Sequence, residues 1–128
     1  MTYYILKSTK GDFDAVLAAV TQRLKEEGFG VLTEIDVANT LKQKLGVEMK
    51  RYRILGACNP GFAHKALGCE DKIGVMLPCN VVVQETGEKT IDVFAIDPRV
   101  AMRQIGNPAL AEIANEVAER LSRVVAAA

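Results

Sequence analysis

Leu77-Pro78-Cys79-Asn80-Val81-Val82-Val83-Gln84-Glu85-Thr86-Gly87-Glu88-Lys89-Thr90-Ile91-Asp92-Val93-Phe94-Ala95 is the stretch that decides the fold. A β-branched run at 81–83 meets a turn at 85–88 carrying Thr86-Gly87, and Ile91, Val93 and Ala95 then share one side of a second strand. Strands joined by a tight turn must be antiparallel, which excludes a purely parallel sheet. Pro78 cannot donate to a ladder, so a bulge or edge is expected between the apolar run at 73–77 and the strand, with regular pairing resuming near Cys79.

Working outward, residues 3–8 read as a first strand, and Gly11-Asp12 opens a helix with Phe13, Val16, Leu17, Val20 and Leu24 on one face. Gly28 is placed to end it in the left-handed conformation. Val31, Thr33, Ile35 and Val37 alternate with Leu32, Glu34 and Asp36 as a second strand. Asp36 or Asn39 then caps a short helix through Val37, Leu41 and Leu45 that Gly46 stops, and a third strand runs over 51–58. Asn59-Pro60, Asp97-Pro98 and Asn107-Pro108 share one form, a capping side chain followed by a residue whose missing N–H costs nothing at the first helical position. The last of these begins a long amphipathic helix with Leu110, Ile113, Val117, Leu121 and Val124 toward the core. The reading is a single α+β domain over residues 1–128: a mixed or antiparallel sheet of four to five strands with helices packed on one face.

A chain of 128 residues can bury a core without staples. Sixteen Lys and Arg balance sixteen Asp and Glu, so the molecule lacks the field that draws proteins to nucleic acid or anionic membranes. Neither a leader pattern nor an apolar stretch long enough to span a bilayer is visible. The three cysteines, Cys58, Cys69 and Cys79, are an odd number without a secretory context, so reduced thiols in a cytoplasm are expected.

Two of those thiols stand beside carboxamides, in Cys58-Asn59-Pro60 and Pro78-Cys79-Asn80. Apolar segments that only fill a core have no need of Asn, whose two donors and acceptor must be satisfied when buried. The simplest antiparallel pairing lays the start of the hairpin beside the end of the third strand and brings Cys79 toward Cys58. Cys58 also lies just before a helix start, the kind of position that favours a thiolate. His64, the only histidine, falls about one turn along that helix, as a base for Cys58 or as a solvated side chain. The candidate catalytic residues are therefore Cys58, Cys79 and His64, with Asn59 and Asn80 as substrate-binding carboxamides. Asn59 has a complete structural explanation as a cap; Asn80 has none and points away from Val81 and Val83.

Convergent thiols could form a reversible disulfide, bind a soft metal or share a substrate, but no spacing supports a structural zinc site, and no metal is expected. Cys69 reads as an exposed loop thiol. Glu34 and Asp36 share one strand face, as do carboxylates in acid-base pairs and in solvated strands alike. Lys42, Lys44, Lys50, Arg51 and Arg53 form a basic stretch, read as a solvated edge. No phosphate loop, nucleophile elbow or dinucleotide fingerprint is present, so no cofactor is indicated.

Glu34-Ile35-Asp36-Val37, Lys44-Leu45-Gly46, the run from Ile54 to Pro60 with Ala63-His64 and Leu67, Leu77-Pro78-Cys79-Asn80-Val81, and Asp97-Pro98 occur together and in order. In this the chain resembles the bacterial and archaeal family called domain of unknown function 302. The resemblance implies a small α+β fold similar to one repeat of the TATA-binding protein, often paired as a dimer, with no settled activity. Nucleic-acid binding is not expected to accompany that fold, since the chain has no Trp and no net charge. The expectation is a domain that binds a small molecule, or does thiol chemistry on it, at the Cys-Asn motifs; the alternative is a noncatalytic homodimerisation or protein-interaction module.

Overall fold

The hairpin forms, but its turn is Glu88-Lys89 rather than 85–88, and Thr86 and Gly87 belong to its first strand. In the computed structural model, which describes residues 2–128, β4 (Cys79–Gly87) turns directly into β5 (Thr90–Ile96), with Lys89 at positive φ in the turn. Around it stand β1 (Tyr4–Lys10), β2 (Gly30–Asp36) and β3 (Tyr52–Cys58), in the order β1-β5-β4-β3-β2 with every neighbouring pair antiparallel. The helices are α1 (Phe13–Glu26), α2 (Val37–Leu45), α3 (Pro60–Cys69), the single turn α4 (Pro98–Ala101) and α5 (Pro108–Ala126).

The predicted caps are in place, because each depends on only a few consecutive residues. Asp12, Asp36, Asn59, Asp97 and Asn107 each accept a hydrogen bond from a backbone N–H two or three residues on, and Pro follows the last three at the first helical position. Gly28 and Gly46 adopt φ of +86° and +68° just past α1 and α2, where a side chain would be strained.

One face of the sheet carries Leu55, Ala57, Val81, Val83, Ile91, Val93 and Ala95, all buried against Phe13, Val20 and Leu24 of α1 and Val117, Leu121, Val124 and Val125 of α5. Burying each of the larger side chains stabilises the fold by about 1.5–3 kcal/mol. A second small cluster, Ala66, Ile73 and Leu110, ties α3 to α5. Among the described residues, the buried strand positions in this core all lie on that one face. On the other, more open face, strand register draws one apolar row across all five strands, Leu6–Phe94–Val82–Ile54–Ile35. Tyr4 and Tyr52 meet the Phe94 ring edge-on at 6.3 Å, and the end residues Leu6 and Ile35 are about half exposed, at 47% and 48%.

Two further expectations are corrected. The alternation in β2 breaks at a bulge between Val31 and Thr33, so Val31 pairs with Ala57 on the helix side while Thr33 and Ile35 pair with Gly56 and Ile54 on the open side. In place of the bulge or edge expected before Pro78, Asp71–Met76 forms a 3₁₀ helix whose start is capped by Glu70 through Lys72 N–H, and a cis Leu77-Pro78 bond leads into β4. Pairing does begin at Cys79, opposite Ala57.

Candidate functional site

Cys58 is the last residue of β3 and Cys79 the first of β4, and the register sets Ala57 opposite Cys79, so the two thiols lie at the same end of adjacent antiparallel strands. Both line a cavity of about 40 Å³ closed by α3 (Phe62, Ala63), α5 (Ile113, Val117) and Met102. That space holds only a few water-sized groups, since one needs roughly 10–15 Å³ on this measure. Asn59 is the only side chain of the wall with amide or hydroxyl groups, and its Oδ1 accepts the Phe62 N–H at 3.4 Å as the cap of α3.

Local packing holds these strand ends together. A Cβ on Gly56 would stand 2.2 Å from Thr33 Oγ1 and 2.9 Å from Pro78 Cγ, so only glycine lets β2 and the Pro78 ring close over β3. Behind α3, the Arg120 guanidinium lies 5.3 Å from the Phe62 ring centre and donates to the Glu27 carbonyl at 2.9 Å. Its Nε is buried and lacks a hydrogen-bond partner. Arg123 forks onto the Glu27 carboxylate at 3.0 and 3.1 Å, which holds that carboxyl below its usual range. Together the two arginines fasten the end of α1 to α5.

The two thiols differ in setting. Cys79 is buried, and desolvation, with a smaller contribution from a charge on Cys58, pushes its pKa up to about 11. Cys79 is therefore a neutral thiol at physiological pH. Cys58 is half-buried. The remaining sequence candidates lie elsewhere. Asn80 is exposed on the open face, because strand alternation must send it opposite to Cys79 and Val81. His64 is exposed as well: Phe62, Ala63 and Ala66 occupy the cavity face of α3, and His64 is not in the wall. Cys58, Asn59 and Cys79 are thus brought together, without Asn80 or His64. Sequence reasoning put Ile113 and Val117 on the core face of the last helix but not at this cavity, and it missed Met102, which reaches the cavity from a distant segment and carries no local signal.

Of the other charged candidates, Glu34, Asp36, Lys42, Arg51 and Arg53 are engaged in ion pairs. Arg53 bridges Glu34 and Asp36, and Arg51 pairs with Asp14 and Glu85 while lying 4.7 Å from the Phe13 ring centre. Asp97 is buried, and hydrogen bonds from the Arg99 guanidinium at 2.8 and 2.9 Å keep its carboxyl below the usual carboxylate range. Cys69 is exposed, as expected, but it is the last residue of α3 rather than a loop residue. Among the described residues no three His, Cys, Asp or Glu side chains are grouped to hold a metal ion, and no helix is long and apolar enough to cross a membrane.

No curated protein matches the chain significantly. Among solved structures, that of the uncharacterized conserved protein DUF302 from Bacillus stearothermophilus is similar at 28% identity, with 98% of each chain covered and a TM-score of 0.91. The sequence matches the family described as Domain of unknown function DUF302 over residues 4–128, which takes in every strand and helix and both Cys-Asn motifs. The chain belongs to the DUF302 family.

Proposed function

We propose that this domain binds a small ligand group in the cavity at the ends of β3 and β4, with Cys58, Asn59 and Cys79 in its wall. The observation that carries the reading is a space at the edge of the buried core that both cysteines line. Its volume of about 40 Å³ is far below the roughly 300 Å³ and more of pockets that enclose whole metabolites, so it suits a small ligand or the tip of a larger one. Covalent chemistry at this site would fall to Cys58, since Cys79 keeps its proton. A cavity that receives ligands must admit a small neutral reagent. In a Cys69→Ala background at pH 9, methyl methanethiosulfonate should label Cys79 faster than the protein unfolds, while a bulky charged maleimide should not. Ala63→Leu, which fills the cavity, should slow that labelling at least tenfold. Labelling of Cys79 only at the unfolding rate would end the reading.

The alternative, homodimerisation, is favoured by a different observation: the apolar row from Leu6 to Ile35 on the open face. A second copy laid face to face would cover it in a two-fold, self-complementary contact. Sedimentation should then give twice the mass of one chain, reduced to one by Leu6→Lys with Ile35→Lys. A wild-type monomer at all concentrations would leave the face without this partner.

A further inference from the structure

We infer that the ligand of this cavity is a soft monovalent cation, Cu(I), held by the sulfurs of Cys58, Cys79 and Met102. The inference rests on the cavity being a binding site, as proposed above. Its wall contains Cys58, Cys79 and Met102 and no charged side chain. Hard cations need several oxygen ligands, and zinc takes four donors; neither set is grouped here among the described residues. The wall offers sulfur instead. Thiolate and thioether donors select Cu(I), and a large soft ion tolerates a dry, apolar surround that a strongly hydrated one does not.

The two cysteines stand at neighbouring strand ends and both line the cavity, and Met102, where α4 ends, lines it as well. Methionine is unbranched and adaptable, so its thioether can follow the ion. Each thiol that ligates releases its proton to solvent, and no electron is transferred. Two thiolates around a monovalent ion leave one negative charge, and the start of α3, immediately after Cys58, presents the positive end of a helix to it. A second cavity of about 220 Å³ shares Cys79, Pro98 and Met102 with the first and adds Met76 and Val75, the latter 90% exposed. Met76 and Met102 thus stand with Cys79 around that second cavity.

The test is a Cu(I) titration against the chromophoric chelator bicinchoninate under reducing, anaerobic conditions. One ion per chain should bind, Cys69→Ala should leave the affinity unchanged, and Cys58→Ala and Cys79→Ala should each lower it more than about 100-fold, with Met102→Leu costing about tenfold. Retention of binding in both cysteine variants, or its loss in Cys69→Ala, would overturn the inference. If Cys79→Ala does not fold, X-ray absorption on the wild-type complex decides: a shell of two or three sulfurs is expected, and a nitrogen or oxygen ligand refutes it. No Cu(I) binding together with cavity-dependent labelling of Cys79 would reject the cation and leave the ligand site standing; failure of both removes the site.

Discussion

The same dipeptide, Cys-Asn, occurs at two neighbouring strand ends and meets opposite fates. In Cys58-Asn59 the chain leaves a strand for a helix, and the tight turn lets both residues border one cavity, with the carboxamide folded back as a cap. In Cys79-Asn80 the chain is entering a strand, and the two-residue period buries the thiol while exposing the amide on the opposite face. Residue identity nominated four groups, and backbone conformation kept three of them together.

If burial separates the two thiols, a charge should tell them apart. Cys79→Asp places a carboxyl in the core beside apolar side chains and should destabilise the protein by about 3–5 kcal/mol, as expected of an unpaired buried charge. Cys58→Asp, half-buried and next to a helix start, should cost less than half as much. Denaturant midpoints measure both. Equal costs would mean that the two sites share one environment and that the contrast drawn here is false.

Titration sharpens the same contrast. The Cys79 thiol holds its proton to about pH 11, whereas an unfolded chain gives it up near the ordinary value of 9.0. Between these values the unfolded state binds fewer protons than the folded one, so this group's contribution to stability is intact below pH 9 and declines as pH rises toward 11, by up to about 2–3 kcal/mol. Other groups titrate in that range, so the quantity to measure is the difference between wild type and Cys79→Ala. A stability gap that stays constant from pH 8 to 11 would contradict the burial of this thiol.

How much of this was legible in the sequence follows the range of the forces involved. Caps were readable because Asn59-Pro60 and Asp97-Pro98 act over three or four residues; the hairpin was readable too, though its turn falls at Glu88-Lys89, just past Thr86-Gly87. The β2 bulge was not, since Val31-Leu32-Thr33 alternates perfectly well on paper and is displaced only by pairing with β3. The 3₁₀ helix that replaces the expected bulge or edge before Pro78 was not legible either, because the burial of the run at 73–77 comes from α3 and α5: Ile73 packs with Ala66 and Leu110. For the site, the approach of Cys58 and Cys79 followed from antiparallel pairing alone. The exclusion of Asn80 could have been read too, because Cys79 shares the parity of Val81 and Val83, and the adjacent residue must then face away. His64 and Met102 depended on the docking of α3 and α4, which no local pattern encodes.

The smallest effect isolates the carboxamides. Asn59 Oδ1 accepts the Phe62 N–H, so Asn59→Ala removes a helix cap and should cost about 1 kcal/mol. Asn80 is exposed on the open face, so Asn80→Ala should change stability by less than about 0.5 kcal/mol. Because Gly28 closely approaches Asn59, with a Cβ there only 3.0 Å from Nδ2, Asn59→Asp is a useful control. It keeps the cap acceptor and adds charge at the helix start, and should recover most of the loss. Urea melts of the three variants suffice. An Asn80→Ala cost as large as that of Asn59→Ala would show that the exposed amide is also held in place, and the open face rather than the cavity would become the first surface to search for a partner.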